Sequence, residues 1–295
     1  MKYSNPKIPE GINSSDENPI KEFSLLASGL IIVAIALIIS VSALLDWGSK
    51  FIPFSFEQQI SEPLVEKYLD EYPKKSHEID LYLQQLADQI VPLMALDEDI
   101  NITLHYVNQT TVNGMATLGG NIFIFRGLLE KLPNENALVM LLAHEIAHVK
   151  LRHPIKALSK GVLISLLLAI ISGQSNADVS GLLSGTSQLA FLGFSRAQEQ
   201  EADTEATQLS GYYYQHTQGS IELFNVLLAE NEATTISSLA LFNSHPNINE
   251  RIKAVTQQSK THKWSTQGVI VEIPVHIKQL LIDYGVSELT SEEGN

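Results

Sequence analysis

The 295 residues include no cysteine, which excludes a disulfide framework and thiolate metal ligands and leaves the redox compartment open. Basic residues are scarce: 19 Lys and Arg stand against 33 Asp and Glu, a formal net charge of −14. A chain this acidic, with no basic patch and no interleaving of basic and aromatic side chains, is expected to bind no nucleic acid, because phosphates would repel it. The same charge gives no reason for strong attraction to anionic lipid. No internal repeat is present.

Long hydrophobic runs are also few, and one of them dominates the N-terminal region. Residues 23–45 carry no charge, and at 1.5 Å per residue they reach about 34 Å against a hydrocarbon core of roughly 30 Å. The leader before them is long and partly acidic, the run exceeds that of a signal peptide, and no small-residue cleavage site follows. An uncleaved transmembrane anchor at 23–45 is therefore expected, after a polar tail at 1–22 and before a juxtamembrane linker at 46–56. Lys2, Lys7 and Lys21 precede the span and only Lys50 follows closely, which places the N-terminus in the cytoplasm and the bulk of the chain across the membrane. In a bacterium that is the inner membrane, with the domain in the periplasm. A second apolar run at 162–171 covers only about 15 Å, too short to span. With Gly161, Gly173, Gly181 and Gly185 around it, it reads as a helical hairpin, buried in the domain or set at the membrane surface.

The most informative stretch is His144-Glu145-Ile146-Ala147-His148. On a helix, residues four apart stand roughly 5–6 Å apart at Cβ on one face, so both imidazoles can reach one metal at about 2.0–2.1 Å. Glu145, turned about 100° from His144, is placed to handle a water proton. This is the H-E-x-x-H pattern of zinc hydrolases. Zinc lowers the pKa of a coordinated water from 15.7 to roughly 7, and a neighbouring carboxylate can take and return its proton. The competing reading is two core histidines satisfied by hydrogen bonds. The apolar residues 139–143 ahead of the motif imply a largely buried helix, where an unpaired imidazole is costly.

Catalytic zinc usually takes three protein ligands, so a third is needed. Residues 195–203, SRAQEQEAD, supply candidates. Ser195 and Gln198 form a capping box, and on the helix that follows Glu199 and Asp203 share one face while Glu201 and Glu205 share another. Glu199 can ligate, with Asp203 accepting the second N–H of a ligand histidine. Spacing alone leaves Glu201 as a rival and a plain solvated acidic face as the bland alternative.

HEIAH followed by SRAQEQEAD resembles the gluzincin metallopeptidase family that contains HtpX, the CAAX prenyl proteases and BepA, and within it the BepA-like branch. The resemblance covers residues 113–251 in four segments. It implies that Glu199 is the zinc ligand and Asp203 its partner behind the ligands. A third segment, NGMATLGGNIFI at 113–124, resembles the family's glycine-paired strand, with Gly114 where alanine is usual. Gly119, Gly120, Asn121, Ile122 and Phe123 are accordingly expected to form an exposed edge strand that pairs with an extended substrate. The fourth, His245-Pro246 with Arg251, resembles an H-P-x-x-x-x-R element. It implies that His245 donates to the developing oxyanion or takes a fourth metal position, and that Arg251 stabilises charge.

Other expectations are local. Ile79, Leu83, Leu86 and Ile90 recur at helical spacing; Ile100, Ile102, Leu104 and Tyr106 alternate as a strand. Asn134 caps the motif helix, and His153-Pro154 marks its end. Residues 267–273 read as a late strand and 288–295 as a loose acidic tail. His77, His105, His153, His216, His262 and His276 stand in no ligand spacing with one another, so solvated or capping roles are expected. The fold class is α+β, mainly α: a zincin-like domain at 57–262 with a small sheet, then an extension at 263–295. The function expected is that of a membrane-anchored, zinc-dependent endopeptidase acting on extended or misfolded polypeptides. The rivals are a chaperone or assembly factor with a latched or vestigial site, and a nonproteolytic interaction protein.

Overall fold

The computed structural model describes residues 19–72, 76–172, 193–233 and 248–292, and the chain divides into two units, Met1–Trp47 and Gly48–Asn295. Helix α1 (Pro19–Gly48), which lies in the first unit up to Trp47, extends about 45 Å over its 30 residues. Leu26, Leu30, Ile32 and Val33 are exposed on it. A helix apolar on all sides needs an apolar surrounding, and among the described residues α1 is the helix long and apolar enough to cross a membrane. Residues 46–48 of the expected linker are helical, and Phe54 already opens the next helix.

The second unit begins with α2 (Phe54–Glu71) and α3 (His77–Ile90). Ser76 caps α3 by accepting the amide of Ile79 at 3.2 Å, and Ile79, Leu83, Leu86 and Ile90 form its buried stripe. Three short strands follow: β1 (Thr103–Val107), β2 (Gly114–Ala116) and β3 (Asn121–Phe125). Their order is β1-β3-β2, with β1 parallel and β2 antiparallel to β3. Alternation along the strands gives the sheet two buried faces. Leu104, Tyr106, Ala116, Ile122 and Ile124 join the main core. Val107, Met115, Phe123 and Phe125 pack against Val65, Tyr68 and Leu69 of α2.

This order corrects the expected substrate strand. Residues 121–125 are the central strand, hydrogen-bonded on both sides, so Asn121, Ile122 and Phe123 have no edge to offer. Gly119 and Gly120 serve packing instead. Both have positive φ, 70° and 78°, a Cβ on Gly119 would come within 2.9 Å of the Gln58 backbone in α2, and one on Gly120 would meet the Asn101 carbonyl. The β1 edge is also occupied, because α3 side chains substitute for a further strand. Asp80 accepts the Tyr106 amide at 2.7 Å, and Gln84 accepts from Leu104 at 3.0 Å and donates to Ile102 at 3.2 Å. That leaves β2, itself buried, as the sheet's other edge strand among the described residues.

After the short helix α4 (Arg126–Leu129), α5 (Glu135–Lys150) runs through the centre, buried from Asn136 to Val149. It ends before His153, which opens α6 (His153–Ser172); the break falls at Leu151 and Arg152. The expected hairpin falls partly on α6, while Gly173, Gly181 and Gly185 lie outside the described residues. Helices α7 (Arg196–Tyr214), α8 (Gln218–Ala233) and α9 (Ile248–His262) add Ala202, Ala206, Leu223, Phe224 and Val255 to the core around α5.

Residues 267–273, expected as a late strand, form none, because their backbone groups bond to side chains and a helix end. Val271 accepts the Glu135 amide at 2.8 Å and donates to Asn136 Oδ1 at 2.8 Å, and Gly268 donates to Gln218 at 2.9 Å. Helix α10 (Val275–Glu292) follows, and its Ile277 and Leu281 lie in the same core as α5. Residues 288–292, expected as a loose tail, belong to this helix.

Candidate metal centre

Asn134 starts the motif helix by accepting the Ala137 amide at 3.0 Å, and Glu135 sits at the positive end of the helix dipole. The 3.6-residue turn then sets His144 and His148 on one face, with their Nε2 atoms 3.0 Å apart. Helix α7 starts at the capping box, in which Ser195 Oγ accepts the Gln198 amide at 3.4 Å and Gln198 Oε1 accepts that of Ser195 at 2.9 Å. Glu199 follows one turn in and turns toward α5. Its Oε2 lies 3.5 Å from His144 Nε2 and its Oε1 3.4 Å from His148 Nε2.

These three donors fit one ion. Ligands at about 2.0–2.1 Å around a tetrahedral centre stand about 3.3–3.4 Å apart; the two imidazole nitrogens are 3.0 Å apart, each lies 3.4–3.5 Å from a different Glu199 oxygen, and one donor atom from each of the three residues lies within 4.8 Å of the other two. His144, His148 and Glu199 are 3%, 0% and 2% exposed. Three buried lone-pair donors converging in this way repel one another unless a cation lies between them. The proton affinity of His144 reports the same demand. Burial pushes its pKa down, but hydrogen bonds to Asp203 and Glu199 overcome this and raise it to about 9.

Asp203 stands behind the donors. Its Oδ1 accepts from His144 Nδ1 at 2.9 Å, which leaves Nε2 with its lone pair directed at the donor cluster. Burial opposes the charge on Asp203, yet Arg251 and then His144 hold its carboxyl at about 2. Arg251 donates to both carboxylate oxygens at 2.7 Å, lies 3.4 Å from Glu199 Oε2, and packs its guanidinium 4.5 Å from the Phe224 ring centre. Arg251, expected to stabilise charge, is paired here with Asp203 and Glu199.

Glu145 is buried beside β2, and a Cβ added to Gly114 would sit 3.7 Å from its Oε1. Glu201 points elsewhere: its side chain is 58% exposed and its Oε2 is 3.1 Å from His153 Nε2. His245 lies outside the described residues.

Two neighbours were not expected from sequence. His153 is fully buried, not solvated, with its Nδ1 2.9 Å from His148 Nδ1, and burial lowers its pKa to about 4 despite Glu201. Phe194 stacks on the His148 ring at 3.9 Å between centroids. His105 and His216 are also buried, bonded to Asn121 at 2.9 Å and to the Val269 carbonyl at 3.0 Å. A histidine five residues beyond the motif was the available sign for His153; for Phe194 the sequence offered none.

A family profile described as Peptidase family M48 matches residues 80–259, more than half of the chain. The mitochondrial metalloendopeptidase OMA1 of Schizosaccharomyces pombe is 26% identical over 212 residues, covering 70% of this chain and 62% of the relative. The beta-barrel assembly-enhancing protease of Yersinia pestis is 33% identical over 147 residues, 44% of this chain and 29% of its own length. The Escherichia coli protein of that name is 35% identical over 120 residues, 36% and 24%. The chain therefore spans less than two thirds of each of these relatives.

Proposed function

Since the chain belongs to peptidase family M48, we propose that it is a membrane-anchored zinc endopeptidase that cuts extended or misfolded polypeptides. The observation that carries this reading is the convergence of His144 Nε2, His148 Nε2 and a Glu199 oxygen within 4.8 Å of one another. Two imidazoles and a carboxylate, with no sulfur, form a donor set suited to zinc. When bound, the ion supplies Lewis acidity toward the scissile carbonyl and the attacking water. Glu145 accepts the proton of that water and returns it to the leaving amine. His245, by its H-P-x-x-x-x-R context, donates to the oxyanion, while Arg251 holds Asp203 and, through it, His144.

The substrate adds as a strand to β2. Asn113 and Thr117 bond to β3 through Phe125 and Asn121, so by alternation the amides and carbonyls of Gly114 and Ala116 point away from the sheet. Glu145 lies against Gly114, which puts the proton acceptor beside that edge. Helix α1 is the anchor, and the lysine bias sets the domain in the bacterial periplasm. Quality control of envelope proteins suits an edge that reads backbone, since unfolded chains offer extended segments of any sequence. Peptidase names among relatives from bacteria and mitochondria support the activity.

In detergent micelles, the full chain is expected to cleave unfolded casein, to lose all cleavage with 1,10-phenanthroline, and to recover it with one equivalent of zinc. Cleavage that persists in the chelator, or a zinc-loaded, folded protein that cleaves nothing, contradicts the proposal.

A further inference from the structure

His153 takes no part in the mechanism above, yet it is fully buried and directly follows a residue in a left-handed conformation. The turn from α5 to α6 passes through Arg152 at φ 59°, a left-handed conformation for a non-glycine residue. Such strain persists where the surroundings fix it. Here Arg152 Nε donates to buried Glu57 at 2.6 Å, and its Nη2 donates to the Ile52 carbonyl at 2.8 Å. The next residue is His153, folded back against His148.

The proton positions in this contact follow from the hydrogen bonds. If His148 Nε2 offers its lone pair to the metal, the ring proton is on Nδ1. The 2.9 Å contact then makes His153 Nδ1 the acceptor, so the His153 proton is on Nε2. That atom faces Glu201 Oε2 at 3.1 Å and donates to it. One tautomer satisfies each step.

We propose that His153 and Glu201 form a positioning relay that fixes the tautomer and ring orientation of His148, with Phe194 holding the ring from its face. The proposal rests on the metal reading given above. The two ligand histidines are then backed differently. His144 leans on an anionic carboxylate itself locked by Arg251, whereas His148 leans on a neutral imidazole whose outer partner reaches solvent. The acid that spacing made a rival ligand acts at one remove.

The test is zinc affinity of the full chain in detergent, measured by competition with a chromophoric chelator, beside the visible absorption spectrum of the cobalt-loaded protein. His153→Phe fills the ring's volume but removes the acceptor; it is expected to weaken zinc binding by about 10–100-fold and to change the cobalt spectrum. His153→Gln, which can accept from His148 and donate to Glu201, is expected to restore most of both. Glu201→Ala, at an exposed position that does not endanger folding, is expected to weaken binding in the same direction by a smaller factor. A folded His153→Phe protein with wild-type affinity and spectrum overturns the relay. If that variant does not fold, Glu201→Ala decides: unchanged affinity overturns it and weakened affinity supports it. Wild-type protein that takes up neither metal removes the metal reading itself, a distinct result.

Discussion

Replacing Glu145 with Gln is expected to slow peptide hydrolysis by roughly 10²–10⁴-fold, the usual contribution of a positioned general base, while zinc content stays at one per chain. Glutamine keeps the shape of the side chain but cannot accept a proton. Glu145 is outside the three converging donors, so the ion should be held as before. It is 1% exposed and packed beside Gly114, so an isosteric change leaves the packing intact. Casein cleavage rates and zinc analysis on the same samples check this. A rate within a few-fold of wild type removes Glu145 from the chemistry, and lost zinc makes it part of the metal site.

Arg251→Met is the second large effect, and it is expected first in stability. The guanidinium makes two 2.7 Å bonds to Asp203, lies 3.4 Å from Glu199 and is 7% exposed. Removing one partner from a buried ionic network costs about 3–5 kcal/mol, because the remaining charges stay buried without compensation. For a unit of this size that corresponds to a fall in melting temperature of roughly 10 °C. Methionine retains most of the volume over Phe224, so lost packing contributes little. If Arg251 instead faced the substrate as a charge stabiliser, the melting temperature would hold and the rate alone would fall. Thermal melts of the chelated proteins distinguish these outcomes.

What was legible in the sequence follows the range of the interactions involved. The donor pair His144 and His148 depends on helical periodicity alone, and the caps at Asn134 and Ser195 on bonds spanning three residues; both could be read from the chain. The apolar stripe of α3 and the uncharged apolar run of α1 are equally local. Choosing Glu199 over Glu201 is harder. Two positions differ by about 200° around a helix, and which one meets α5 depends on how α7 packs. The resemblance chose Glu199, and its oxygens are the ones within reach of both histidines.

Strand order was out of reach for the same reason. The pattern at 113–124 reads as extended chain with paired glycines, but the sequence does not reveal that β1 pairs on the far side of residues 121–125, so the edge lies one strand further out than the pattern implies. The strap at 267–273 alternates like a strand, yet its partners are the side chains of Asn136 and Gln218, 133 and 50 residues away in sequence. His153 looked solitary because its neighbours are a ligand on the preceding helix and an acid 48 residues on.

The most direct test is the zinc content of the full chain at saturating zinc, compared among wild type, Glu199→Gln and Glu201→Gln. One zinc in wild type and in Glu201→Gln, with Glu199→Gln stripped of it, is the predicted result. A folded wild type with no zinc, or loss from Glu201→Gln while Glu199→Gln keeps its ion, contradicts the assignment of His144, His148 and Glu199 as the metal centre.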